Sequence, residues 1–341
     1  MKYLTPGPVQ IPKEIIANIA KQPIFHRTDE FREIFARVTS KLDKIIHGTS
    51  IILPGTGTLA VDTIVYNYVD PGDNVLLIVI GEFSERMGDS LIARGAKVTK
   101  LQWNTGSVPS PDIIEDYAKK IKDLKAIALV HNETSLGVAN RYIEKIQEIA
   151  SSLGATLLVD SVSGIPAEPI YGKVDAIATA SHKAFLSPPG ASIIFINKKP
   201  TAKAQVPPAI NLNKFIKYRE KNDVPYTPPM NVLYALDAST DYILKLGVTN
   251  YADIHRERAE TIYNLIKLEP VAEEKFRSNT VTAFYTNHAK EILSELKRNG
   301  YVISLGMGEL AEKVIRIGIM GDINYEDLKN VAEVVNKYVD R

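Results

Sequence analysis

AIALVHNETSLGVANRYIEKIQEIASSLGATLLVD, residues 126–160, is the stretch whose reading decides the fold. It opens on the apolar run Ala126–Val130 and closes on Thr156–Asp160, both of strand length and apolar at successive positions, as strands buried on two faces must be. Between them, Ile143–Leu153 spaces its apolar residues at helical intervals and carries charge elsewhere. Strand, helix and strand in succession predict a parallel pair joined by a crossover helix. Working outward, Val75–Ile80, Asp175–Thr179 and Ser192–Ile196 repeat the strand texture, and Asp112–Ile121 repeats the helical one. The fold class is therefore α/β, a mostly parallel sheet sandwiched by helices.

Beyond Ser192–Ile196 the texture changes. Pro200, Pro207, Pro208, Pro225, Pro228 and Pro229 cluster in a tract without clean periodicity, which reads as an irregular excursion. From about Asp237 a helical pattern runs to Leu268. It is followed by a strand at Thr280–Thr286, a helix near Lys290–Arg298, short strands at Tyr301–Ser304 and Val314–Ile319, and a helix from Tyr325. We read an N-terminal arm over 1–20, a large domain over 21–240 and a smaller C-terminal α/β domain over 241–341.

The length, 341 residues, suits about two domains. Lysine plus arginine number 41 against 40 acids, a net charge of +1 with no basic face, which argues against nucleic acid or an anionic membrane as partner. The absence of cysteine excludes disulfide scaffolds, thiolate metal sites and cysteine nucleophiles. MKYLTPGPVQIP lacks an apolar signal core, and Val75–Ile80 is too short to span a bilayer, so we expect a cytoplasmic protein. The six histidines form no metal-binding spacing, and we expect no metal.

Four features carry chemistry. Gly55-Thr56-Gly57-Thr58 precedes the amphipathic stretch Leu59–Val69, where free N–H groups and the helix dipole favour a phosphate. The same residues fit a dinucleotide fingerprint, Gly55-x-Gly57-x-x-Ala60, with Glu82 as the ribose acid, although Pro54 is expected to interrupt the strand before it. Asp160 closes a buried strand, where it is either a loop brace or a carboxylate awaiting a cation. Lys183, in Ser181-His182-Lys183-Ala184, follows another core strand. It is either a loop lysine or an amine whose pKa burial lowers toward Schiff-base chemistry. Arg316 lies within Val314–Ile319 and is either a half-exposed edge residue or a fork for a carboxylate. An anion cradle, a strand-end acid and a strand-end lysine together are the parts that pyridoxal phosphate requires. His131-Asn132-Glu133-Thr134-Ser135 adds polar groups on the same sheet edge.

These segments resemble class V aminotransferases, the alanine–glyoxylate and serine–pyruvate branch of fold-type I pyridoxal-phosphate enzymes. Pro6-Gly7-Pro8, Gly55–Thr58, His131–Ser135 with Gly137, Val159–Ser163, Ser181–Ala184 with Pro188-Pro189-Gly190, Thr227-Pro228-Pro229, and Arg316-Ile317-Gly318 with Met320-Gly321 occur in that family's order across nearly the whole chain. The resemblance implies that Lys183 holds the cofactor as a Schiff base and then shuttles protons, while Asp160 keeps the ring nitrogen protonated. It implies that Thr56, Gly57 and Thr58 bind the phosphate, with Thr227 reaching it from the neighbouring subunit of a homodimer. Phe83 would cover one face of the ring, Val162 the other, and Thr134 would lie beside its substituents. Arg316 would clamp the substrate carboxylate, with the backbone at Gly7 closing the pocket.

Three positions depart from the family's habit. His182 stands where glutamine is common and would donate to the phosphate; Phe83 stands where tryptophan is frequent; and Val224 replaces a tyrosine, leaving Tyr226 nearby. The expected activity moves the amino group of serine or alanine to glyoxylate or pyruvate by ping-pong chemistry. Aminoethylphosphonate or phosphoserine transamination is the alternative on the same scaffold, with His26 and Arg27 as the adjacent pair able to supply extra cationic groups. A nicotinamide dehydrogenase built on Gly55–Ala60 is a more distant one.

Overall fold

The computed structural model describes residues 1–339. The five apolar runs become β2 (Asn74–Val79), β4 (Leu124–Val130), β5 (Thr156–Asp160), β6 (Ala176–Ala180) and β7 (Gly190–Ile196) of a seven-stranded sheet. It also holds β1 (Thr49–Gly55), ahead of the glycine loop, and the largely polar edge strand β3 (Lys97–Gln102), which the sequence pattern does not predict. Their order is β1-β7-β6-β5-β4-β2-β3. From β6 to β3 all neighbours are parallel, and β7 is antiparallel to both β6 and β1. β1 thus points the same way as β6, so the carboxyl ends of β1, β2, β4, β5 and β6 share one edge. Ligands of open α/β sheets bind on that edge.

Successive strand residues serve opposite cores, as a pleat with period two demands. Leu157 faces a core built with α1 (Asp29–Ile45), α4 (Pro111–Lys119), α5 (Ile143–Ser152) and α6 (Met230–Leu246), which contribute Phe35, Ile114, Ile146 and Leu233. Leu158 faces the other, where α2 (Gly57–Tyr68) and α3 (Glu82–Ala93) contribute Ile64, Val65, Met87 and Leu91. α1 begins at Thr28, whose hydroxyl accepts a hydrogen bond from the Phe31 amide at 3.2 Å and satisfies a donor the helix leaves free.

A three-stranded antiparallel sheet follows, ordered β8-β10-β9, where β8 is Val281–Tyr285, β9 is Ser304–Leu305 and β10 is Val314–Gly318. α7 (Val248–Leu265), α8 (Ala289–Arg298) and α9 (Tyr325–Asn336) cover it, packing Ile262, Ile292 and Val331 against Ile315 and Ile317. The chain's start joins this layer, since Lys2–Tyr3 pairs in parallel with Tyr301–Val302.

The structure corrects several expectations. The helical pattern from Asp237 to Leu268 is two helices, α6 and α7, beginning earlier at Met230 and separated by Gly247, whose φ of +85° a side chain would strain. Pro54 does not interrupt the strand. β1 continues through Gly55 because it is an edge strand, where a missing N–H is tolerated. The expected strand Tyr301–Ser304 divides, its first half pairing with the amino terminus and its second joining β10. The proline-rich tract holds a helix at Leu212–Arg219, capped by the Asn211 side chain. Among the described residues no helix is long and apolar enough to cross a membrane.

Candidate active site

Lys183 follows β6 and is almost fully buried, with 9% of its surface exposed. Its Nζ donates to the Pro6 carbonyl at 2.6 Å, so the amino-terminal segment lies directly over the amine. Gly7 explains how the two approach so closely. A Cβ there would sit 2.5 Å from Lys183 Cδ, and the residue's φ is +127°. Burial pushes the Lys183 amine down to about 8; the Arg316 charge lowers it further and Asp160 opposes both.

Asp160 ends β5, buried, and its Oδ1 accepts from the Val162 amide at 2.8 Å. Burial pushes this carboxyl up to about 7; the Val162 hydrogen bond and the Lys183 charge pull it down, and the Glu133 charge raises it. No ion pair is formed by Asp160 among the described residues. A cationic N–H brought against it would be stabilised, and would return the acid to its ionised form.

Arg316 is not a half-exposed edge residue. β10 is the central strand of its sheet, and Arg316 is 9% exposed. Its Nε donates to Leu305 O at 2.8 Å and one terminal nitrogen donates to Thr134 O at 3.1 Å, an interaction that joins the two sheets. Burial lowers its pKa to about 10, Arg86 adds to the lowering, and the Glu133 charge opposes it. Lys183 thus lies close enough to both Asp160 and Arg316 for each of their charges to shift it.

The phosphate-loop residues sit at the amino terminus of α2. Thr56 occupies the cap position without using its side chain to cap, while its carbonyl accepts from Ser192 Oγ at 2.6 Å. Thr56 and Thr58 are exposed. Gly57 is buried against Val162, where a Cβ would meet Cγ1 at 2.5 Å, so the loop touches the segment that follows Asp160. His182 is largely buried, its Nδ1 has no partner, and burial followed by the Lys183 charge lowers it to about 4. Thr134 shares a hydrogen bond with Ser163 at 2.6 Å. The Phe83 ring is half-buried and carries the Arg86 guanidinium 4.8 Å from its centroid.

Some sequence-stated residues lie apart. Thr227 is exposed, and its hydroxyl has no hydrogen-bond partner among the described residues. The Tyr226 hydroxyl accepts from Lys214 of the same chain at 2.9 Å. Arg27 is committed to Asp223 at 2.9 Å and to the Val224 and Pro225 carbonyls, so it is no spare cation. The dinucleotide reading fails on topology. β1 and β2 are not neighbours, and β1 is an antiparallel edge strand, so the fingerprint's βαβ unit does not form.

Glu133 is the residue that the sequence quoted only within a motif. It is fully buried, and its carboxylate accepts from the amides of Phe83, Ser84 and Ser135 and from the Ser84 and Ser135 hydroxyls. It therefore caps α3 and fixes Phe83 beside the site. Its signal was the same as that of Asp160, an acid just beyond a buried strand.

The class V aminotransferase family profile matches residues 7–331. An uncharacterised aminotransferase of Methanocaldococcus jannaschii is 31% identical over 93% of this chain and 87% of its own length. The serine–glyoxylate aminotransferase of Methylorubrum extorquens is 28% identical over 94% and 86%. The crystal structure of alanine–glyoxylate aminotransferase from Nostoc sp. superimposes with a TM-score of 0.92 at 26% identity, covering 98% of this chain and 94% of that one. The chain belongs to the class V aminotransferase family and is a transaminase. That fold family depends on pyridoxal phosphate. The residues present fit such a group: a free helix amino terminus with unused hydroxyls, an unpartnered buried ring nitrogen on His182, a buried unpaired acid and a buried amine of lowered pKa.

Proposed function

We propose that the chain binds pyridoxal phosphate at Lys183 and transfers the amino group of serine or alanine to glyoxylate or pyruvate. The approach of Asp160 at the carboxyl edge of the large sheet and of Arg316 from the small one to the buried Lys183 amine carries this reading. Bound there, the cofactor supplies an aldehyde that condenses with amines and a ring that withdraws electrons from the amino acid Cα. The chain's own residues do the rest. Thr56, Gly57, Thr58 and neutral His182 hold the phosphate, and Thr227, exposed on a proline-stiffened loop, completes that cradle in a second copy of a homodimer. Asp160 holds a proton on the ring nitrogen, Phe83 and Val162 confine the ring between them, and Thr134 hydrogen-bonds at its edge. Arg316 orients the substrate carboxylate so that the Lys183 amine lies over Cα, where it takes and returns the proton. Phosphonate or phosphoserine substrates would need a further cation; Arg27 is already engaged, whereas Arg86, exposed beside Phe83 and in no ion pair among the described residues, could supply one, which keeps such substrates as the second reading.

The test is absorbance in the near-ultraviolet and visible on adding serine, alanine, glutamate and aspartate singly to the cofactor-loaded protein. Serine or alanine should bleach the yellow band; bleaching only by the two dicarboxylates would overturn the donor assignment. Arg316→Ala should weaken amino acid binding by about 10- to 150-fold, the equivalent of about 1.5–3 kcal/mol, while the protein still takes up the cofactor. Equal loss of both would mean that Arg316 is structural.

The lowered Lys183 pKa sets a pH dependence. Only the neutral amine is nucleophilic, so capture of added pyridoxal phosphate by cofactor-free protein should rise roughly tenfold per pH unit up to about pH 8 and then level off. A rate flat from pH 6 to 8 would contradict the assignment of Lys183 as the attacking group.

A further inference from the structure

A cleft of about 780 Å³, whose lining holds none of Lys183, Asp160 and Arg316, opens between the elements of the large sheet and α7 with the segment leading to β8. Three polar atoms of its lining are buried without a partner: Asn140 Nδ2, Arg277 Nε and the Tyr263 hydroxyl. Asn140 is fully buried, and its orientation is fixed, because its Oδ1 already accepts from the Tyr142 amide at 3.0 Å. The Arg277 guanidinium lies 4.4 Å from the Tyr263 ring centroid and forms no ion pair among the described residues. Buried polar groups are ordinarily satisfied, so three lining one cleft mark a place shaped for something else.

The unused groups are donors. Nearby acids are occupied: Glu168 holds Arg141 at 3.2 Å and the Asn279 amide at 2.9 Å, and Glu144 accepts from the Tyr171 amide at 2.7 Å. Asp253 and Glu260 pair with Arg256 on their own helix, and Glu274 is exposed. A permanent cation and an amide NH₂, both donors only, beside a hydroxyl that is free to donate match an acceptor-only ligand with a planar fork for the guanidinium.

We propose that this cleft is a second binding site, for a small carboxylate of the size of the amino and 2-oxo acids that transaminases handle, held by Arg277, Asn140 and Tyr263. Its occupant bridges the two layers, since Asn140 follows β4 whereas Tyr263 and Arg277 belong to α7 and the approach to β8. It also borders the catalytic edge. His131 lines the same cleft, and its Nδ1 is 2.8 Å from the hydroxyl of Ser161, the residue after Asp160.

The experiment compares thermal unfolding of the cofactor-loaded protein in succinate, inorganic phosphate and chloride at equal ionic strength. Succinate should raise the midpoint above both other anions in the unaltered protein and in Arg316→Gln, whose site at the catalytic edge is impaired. Asn140→Asp, which sets a carboxylate against the ligand, should weaken succinate binding at least about tenfold, as should Arg277→Gln. Tyr263→Phe keeps the ring under Arg277 and removes only the hydroxyl, so it reports even if the other variants fold poorly; it should weaken succinate binding several-fold. Loss of the succinate effect in Arg316→Gln, its persistence in every cleft variant, or an equal effect of phosphate would each overturn the proposal.

Discussion

Lys183→Ala is expected to lower transamination by at least about a thousandfold while leaving the fold intact, because both covalent attachment and proton transfer depend on one amine. The expectation rests on position. Lys183 is buried at the end of β6, with its Nζ on the Pro6 carbonyl, and no second lysine shares the site among the described contacts. Removing a side chain from this place frees the Gly7 backbone but breaks no packed core, so circular dichroism should be unchanged. Turnover should be followed in both half reactions, since a residue acting in only one of them would slow only that one. Undiminished transamination by Lys183→Ala would contradict the assignment.

Asp160→Asn has the second-largest expected effect, a loss of about a hundred- to a thousandfold in turnover, comparable to removal of a single preorganised electrostatic group. The substitution is nearly isosteric, and an asparagine Oδ1 can still accept from the Val162 amide that now sits 2.8 Å from Asp160. What it removes is the negative charge. That charge is the one contribution opposing the fall in the Lys183 pKa, so in the cofactor-free protein the lysine should titrate lower in Asp160→Asn than in the parent. An unchanged lysine titration would show that Asp160 carries no charge beside Lys183, and a variant that kept full turnover would show that the ring nitrogen needs no acid here.

The sheet was legible because a strand buried on both faces leaves a continuous apolar run, and Leu157 and Leu158 do serve two separate cores. Strand ends were legible for the same reason, which is how Asp160 and Lys183 could be found without their neighbours. Arg316 stood undecided because one charge in an apolar strand looks alike on an edge and in a centre; only the pairing of β10 with both β8 and β9 separates the two. One glycine hardly disturbs a hydrophobic period, so the helical pattern runs on through Gly247, although its backbone turns the chain between two helices. Glu133 shares with Asp160 the signal of an acid at a strand end, but its role as a cap is not legible, because its partners are amides and hydroxyls from α3 and its own motif, which periodicity does not bring together. Thr227 illustrates a different limit, since a residue that would serve a neighbouring subunit leaves no trace in the contacts of its own chain.

The central claim is that the amine of Lys183 carries the cofactor. Borohydride reduction of the pyridoxal-phosphate-loaded protein, followed by peptide mass spectrometry, tests it most directly. We predict the phosphopyridoxyl mass on the peptide containing Lys183 and on no other lysine in comparable yield. Label on a different lysine, or none on a protein shown to be folded, would contradict the account.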